Sequence, residues 1–324
     1  MLKLGIRVSS QNISGRGHFE RCLAIRNKIP TKVLWFIDYH SRSIKYRVSK
    51  LDELYYENGN NKFDLLKSAI NNDKINCILL DTYHINTADI YSIRKKASLI
   101  ALVDEKKNIK ADLVICPQPL EFNYRKDIKY LIGPKYAPIS DKFNFKKLKI
   151  YEKNKILISF GAYDSYGLTL NVIKSIVKLN MVELKNLKII ITLSKDSPII
   201  AKVKNTIKNL SNFVLILDSK NMQDIYKMCN IAIGAPGLSF LERMASGLPS
   251  ILISQNKFHN NIIDKWVKMG CGIKAENSVK SIQNKLNLLL LNNDLQKKLI
   301  VKGKKIVDGS GASRIAKEII KMVN

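Results

Sequence analysis

The residues best suited to chemistry fall in three glycine-framed stretches. The first is S-G-R-G-H-F-E-R, Ser14 to Arg21, between the apolar opening LKLGIRVSS and the helical pattern CLAIRNKI. Gly15 and Gly17 let the backbone turn tightly and approach a ligand. A helix that begins near His18 aims unsatisfied amide groups at an anion. His18 at that junction can take a proton from water as a general base. Arg21, one turn on, joins the two glycines as a substrate-binding candidate. A loop histidine that merely caps the helix fits the G-x-G-H spacing equally well.

The second stretch is I-S-F-G-A-Y-D-S-Y-G-L-T, Ile158 to Thr169. A buried strand ends in Gly161, and Asp164 lies in the turn before the next helix. Gly161 and Asp164 suit a loop that holds a substrate or phosphate. An ordinary strand-to-helix loop with Asp164 as cap suits it as well. The third stretch, I-A-I-G-A-P-G-L-S-F-L-E-R-M-A-S-G-L-P-S, is the most specific. Gly234, Gly237, Leu238 and Ser239 bring glycines and a hydroxyl to a helix N-terminus, which suits a pyrophosphate. Glu242, about one turn into the helix, is placed to reach ribose hydroxyls. A plain connection between elements is the lesser reading of this spacing.

Further candidates lie at the ends of other apolar runs. Asp81 and Tyr83 in L-L-D-T-Y-H close one run, and Asp104 and Glu105 close another; paired acids can also simply cap a turn. Gly133 to Ile139 reads as a rigid turn between domains that presents Tyr136. His259 in NKFHNN starts a helix and is a candidate to face a nucleotide. His84 fits a surface loop, and His40 has no informative context.

These residues need a scaffold that collects strand ends. Near-continuous Ile/Leu/Val runs alternate with helical patterns along the chain, as a parallel sheet covered on both faces requires. In the first half, LGIRVS, KVLWFID, CILLD, LIALVDE, LVIC and KYLIG read as strands. After the charged linker Asp141 to Lys155, KILISFG, LKIIITLS, FVLILDS, IAIGA and PSILIS read as a second series, followed by a helical tail. The expected architecture is α/β, with two Rossmann-like doubly wound domains facing a cleft. Residues 1–145 form the domain with the histidine, and 146–324 form the nucleotide-binding domain with the tail. Ligands of such sheets bind at the carboxyl ends of the strands.

Composition agrees with this picture. A chain of 324 residues with 46% hydrophobic content suits two globular domains. No apolar run approaches the ~18 residues of a membrane span, and no signal peptide precedes the first strand, so a cytoplasmic protein without membrane insertion is expected. The five cysteines are scattered, which fits reduced, buried thiols and not a zinc site. The formal net charge of +28 comes mostly from lysine spread over every segment. That makes a solvated basic surface, attractive to anionic substrates, and gives no sign of a nucleic-acid partner.

Taken together and in order, GRGHFERCLAI, LLDTYHI, LVDE with ADLVICPQ, LIGPKYAPI, ISFGAYDSYGLT, GAPGLSFLERMASGLPSILI and DGSGASRIAKEI resemble one family. It is the nucleotide-sugar hydrolase of pseudaminic acid biosynthesis, which removes UDP from UDP-2,4-diacetamido-2,4,6-trideoxy-β-L-altropyranose. That family is similar in fold to the lipid-linked N-acetylglucosaminyltransferase of peptidoglycan synthesis, with its GT-B arrangement. The resemblance implies that His18 is the catalytic base and that residues 234–242 hold the diphosphate and ribose. It implies an inverting hydrolysis without a metal; a monomer without cofactor, with a UDP-sugar as its partner, is expected. The chain departs from the family pattern at several places. Val8 and Ser9 follow Arg7 where an acid is usual, Ala162 replaces a second glycine, and Lys257-Phe258-His259 replaces an acid-Asn-Gln stretch. A GT-B glycosyltransferase with an acceptor alcohol shares the same UDP features, and a sugar-nucleotide binder without activity is the non-enzymatic alternative.

Overall fold

A computed structural model describes residues 1–9, 16–38, 42–57, 63–82, 85–106, 109–145, 155–179 and 187–322. Gly15, Tyr83, His40, His84 and the core of the expected linker lie outside the described residues. The chain forms two compact units, Met1–Ser140 with Ser310–Asn324, and Asp141–Gly309.

The strands of the first unit are β1 (Leu4–Val8), β2 (Val33–Ile37), β3 (Glu53–Tyr56), β4 (Cys77–Asp81), β5 (Ser98–Leu102), β6 (Leu113–Cys116) and β7 (Lys129–Ile132). They form one parallel sheet in the order β3-β2-β1-β4-β5-β6-β7. Its helices are α1 (Gly17–Arg26), α2 (Arg42–Lys45), α3 (Asp64–Asn71) and α4 (Thr87–Arg94). The central strands are buried on both faces, which is why they read as unbroken apolar runs. The strand order reverses between β1 and β4, and the first candidate site lies there.

The second unit holds β8 (Lys155–Ser159), α5 (Leu168–Val177), β9 (Lys188–Leu193), α6 (Ile200–Ile207), β10 (Phe213–Leu217), α7 (Met222–Met228), β11 (Ile231–Gly234), α8 (Leu238–Ala245), β12 (Ser250–Ile253), α9 (Lys257–Lys268), β13 (Ile273–Ala275), α10 (Val279–Leu291) and α11 (Asn293–Ile306). Its parallel sheet runs β10-β9-β8-β11-β12-β13, and the order reverses between β8 and β11. Both reversals are topological switch points, the places where such sheets open to ligands.

The last helix, α12 (Gly311–Lys321), departs from the expected division of the chain. Ala312, Ile315, Ala316 and Ile319 are buried in the first unit, in one cluster with Leu4, Ile6, Phe19 and Ile25. Gly311 lies against the backbone of Ala137, where an added Cβ would come within 2.2 Å of its carbonyl oxygen. The Gly133–Ile139 turn therefore docks this helix inside the first unit. The tail was assigned to the second domain because periodicity shows an apolar face without showing what covers it.

Candidate active site

In α1, His18, Arg21 and Cys22 stand at i, i+3 and i+4, and this spacing puts them on one helix face. That face meets the end of β4, which the parallel register sets beside β1 with Val8 opposite Asp81. His18 Nδ1 lies 2.6 Å from Asp81 Oδ1. Arg21 donates from Nε to Asp81 Oδ2 and from Nη2 to Asp81 Oδ1, both at 2.6 Å. Its Nη1 donates to Asp104, just beyond β5. The Cys22 thiol is 3.5 Å from Asp81 Oδ2. His18, Arg21 and Asp81 are all buried.

Electrostatics fixes the roles in this cluster. Burial alone would raise the Asp81 carboxyl, but the Arg21 guanidinium and then His18 outweigh it and hold the group well below the usual carboxylate range. Asp104 is lowered by the same balance, burial against Arg21 and His18. Arg21, opposed by burial, is raised well above its ordinary value by Asp104 and Asp81. Asp81 is thus an ionised acceptor, and a nitrogen 2.6 Å from it must carry the proton. His18 Nδ1 therefore carries the proton and donates to Asp81. The neighbouring Arg21 Nη2, 3.0 Å from Nδ1, is a second donor to the same oxygen and not a partner of the ring. A carboxylate that orients an imidazole in this way prepares it as a base. The free amides at the start of α1 have no side-chain cap.

Of the candidates in this unit, the structure brings His18, Arg21, Asp81 and Asp104 together, with Gly17 as the first residue of α1. The link through Arg21 was not anticipated. Arg7 Nε lies 3.3 Å from the buried Glu57.

In the second unit, Gly161 follows β8 with φ +92°, exposed, in a conformation that favours glycine. Asp164 has a structural task. Its Oδ1 accepts from the Leu168 amide at 3.1 Å and its Oδ2 from the Thr169 amide at 2.7 Å. The carboxylate thus occupies the N-terminus of α5, where an anion would otherwise bind, so Asp164 is placed as a cap and not among the exposed binding groups.

The turn from β11 into α8 is built differently. Gly234 is packed so closely that an added Cβ would meet the Ser159 carbonyl at 2.1 Å and Arg243 Nη1 at 2.6 Å. Gly237 opens outward, with nothing within 4 Å of an added Cβ. As the cap of α8 it offers no side chain to the first amides. Leu238 and Ser239 are half-buried beside them. Glu242 is held by the buried Tyr226, whose hydroxyl donates to Oε2 at 3.0 Å. Burial, then Glu242, raises the Tyr226 hydroxyl well above its usual range. Neither Tyr226 nor the buried Arg243 was anticipated, although an arginine at i+3 from Phe240 on a buried face is visible in F-L-E-R-M-A. His259 lies in the first turn of α9, after β12, with its amide capped by Asn256 Oδ1 at 2.8 Å. Among the described residues no three His, Cys, Asp or Glu side chains gather as metal ligands, and no helix is long and apolar enough to cross a membrane.

Comparison with known proteins agrees with this architecture. Residues 140–306 match the model of a family described as glycosyl transferases group 1. These residues are almost the whole second unit. A Helicobacter pylori protein is 26% identical over 303 residues, 90% of this chain and 52% of the relative. It is named pseudaminic acid cytidylyltransferase and UDP-2,4-diacetamido-2,4,6-trideoxy-beta-L-altropyranose hydrolase. The chain spans about half the length of the curated relatives it matches. Among solved structures, the S. aureus MnaA–UDP co-structure is similar with a TM-score of 0.74 at 12% identity, over 100% of this chain and 97% of that one. Anabaena HepE in complex with UDP and glucose is similar with a TM-score of 0.72 at 11% identity, over 99% of this chain and 100% of that one. The fold is that of the GT-B class, with two Rossmann-like units.

Proposed function

The chain belongs to the glycosyl transferases group 1 family, and on that premise we propose that it is an enzyme acting on a UDP-sugar, a hydrolase that uses water in place of an acceptor. The substrate is a UDP-diacetamido-trideoxyhexose of nonulosonic (pseudaminic) acid biosynthesis. The observation that carries this reading is the His18–Asp81 pair at the switch point of the first unit. In this reading Nε2 is the basic nitrogen of a buried, oriented imidazole. The name of the H. pylori relative supports the substrate.

In this mechanism His18 Nε2 takes a proton as a water oxygen bonds to the anomeric carbon. The bond from that carbon to the UDP oxygen breaks, and the sugar is released inverted. Asp81 stabilises the imidazolium that forms, and Arg21 and Asp104 hold Asp81 in place. The departing diphosphate is received by the amides around Gly234, Gly237, Leu238 and Ser239. Glu242 binds the ribose, and Gly17, Gly161 and His259 line the remaining contacts with substrate. The active molecule is a monomer.

Family membership favours a second reading, transfer of the sugar to an acceptor alcohol. One experiment separates the two. The purified chain is incubated with UDP-diacetamido-trideoxyhexoses without acceptor and followed by NMR, as wild type and H18N. Release of UDP and inverted free sugar, lost in H18N, supports hydrolysis. A UDP-sugar that stays intact until an alcohol is added assigns the chain to transfer.

A further inference from the structure

Arg243 has no part in the chemistry above, yet its placement is unusual. It is the sixth residue of α8, and a long side chain on a helix runs back toward the N-terminus. Its Nη2 donates to the Ala235 carbonyl at 2.9 Å, and Nη1 lies 3.5 Å from the Ser159 carbonyl. The guanidinium carbon lies 5.6 Å from the centre of the Phe240 ring. Arg243 is fully buried, and its Nε has no acceptor. Its hydrogen bonds go to carbonyl oxygens and its face to a ring, while the charge of Glu242 acts on it without a hydrogen bond between them.

A guanidinium stays charged even where burial lowers its pKa, as it does here. A full positive charge is thus lodged between the ends of β8 and β11, behind the open N-terminus of α8. Burial outweighs the attraction of Tyr226 and Glu242, so this is an unfavourable place for a charge. The helix end in front of it is also positive, so the two repel. Both penalties become attractions when an anion arrives at that end. Direct cations are absent from the turn itself, since Gly234 to Ser239 carries no Lys or Arg.

We propose that Arg243 is the buried counter-charge of the diphosphate, a positioning residue that fixes the 234–237 turn through Ala235 and strengthens its hold on the phosphates. This rests on the reading of residues 234–242 as the UDP site. The site then discriminates by phosphate charge as well as by base and ribose.

The test is calorimetric titration of the full chain with UDP, UMP and uridine, for wild type, R243K, R243Q and R243M. The neutral variants should lose on the order of tenfold or more in UDP affinity, with a smaller loss for UMP. Uridine affinity should stay within about twofold, and R243K should recover UDP binding to within about threefold. Equal loss of UDP and uridine, or no loss of either, overturns the proposal and leaves the UDP site standing. A wild type that binds neither UDP nor uridine overturns the UDP site itself and the proposal with it. R243Q keeps a donor for Ala235, so it serves if R243M does not fold. If both neutral variants fail to fold, the charge is a structural requirement and the proposal falls.

Discussion

Replacing Asp81 by Asn tests the first unit most directly. The carboxylate takes three charged contacts at 2.6 Å, one from His18 and two from Arg21. An amide of the same shape offers one acceptor oxygen, and its NH2 faces donors. With its oxygen at the Oδ1 position the amide keeps two contacts, now to a neutral acceptor, and loses the one from Arg21 Nε at ~1.5–3 kcal/mol; the lost charge brings the total to the ~3–5 kcal/mol for breaking a buried ion pair. D81N should therefore lose about 3–5 kcal/mol in urea denaturation, a large part of the ~5–15 kcal/mol of a typical domain. The pH dependence has a definite sign. The folded Asp81 carboxyl lies below its ordinary value, so its contribution is complete above the usual carboxylate pKa of about 4 and is lost as pH falls toward the lowered one. The gap between wild type and D81N should be constant from neutral pH to about pH 5 and shrink below about pH 4. For catalysis, the His18 tautomer loses its support, and kcat should fall by about 10³–10⁴ with KM for the UDP-sugar within about threefold. UDP release is measured at a temperature where D81N is folded by circular dichroism. A folded D81N that turns over within about tenfold of wild type would refute the reasoning.

Substitutions at four further positions probe the second unit. Gly234→Ala should destabilise it by about 1–3 kcal/mol or more, because the new methyl meets Ser159 and Arg243. Gly237→Ala should leave chemical denaturation nearly unchanged while weakening UDP in calorimetry. Tyr226→Phe removes one hydrogen bond from Glu242 and should weaken UDP by about two- to tenfold, with no matching loss for a phosphate compound that lacks ribose. Asp164→Ala should cost about 1–3 kcal/mol in denaturation through the lost cap and the φ of +44°, whereas Asp164→Asn, which adopts that φ and keeps one of the two acceptors, should lose less. In both, activity per folded molecule should persist, since the carboxylate serves the helix.

Most of the scaffold was legible because strands buried on both faces must be apolar throughout. The two strands that escaped notice lie at sheet edges. Glu53–Tyr56 is half-buried and begins with a charge, and Ile273–Ala275 is only three residues long. Of Lys257–Lys268 only the start at His259 was read, because its first turn, K-F-H-N, is mostly polar. The site was legible residue by residue but not as pairs. His18 announced itself through its glycines. Its dependence on Asp81, far along the chain, exists only because β1 and β4 are neighbours across the reversal in strand order. Asp164 and Glu242 both looked like ligands in sequence. Their surroundings differ: two backbone amides donate to the carboxylate of Asp164, while Glu242 is met by a tyrosine hydroxyl.

The return of the last helix to the first unit bears on how the molecule is made. During synthesis the second unit, Asp141–Gly309, is complete before Gly311–Lys321 has been translated. The first unit, though begun earliest, lacks Ala312, Ile315 and Ile319 from its core until then. The nascent chain therefore carries an uncovered apolar groove beside α1, the helix with His18, through the whole synthesis of its partner unit. The second unit can close on the ribosome, and the unit with His18 matures only afterwards.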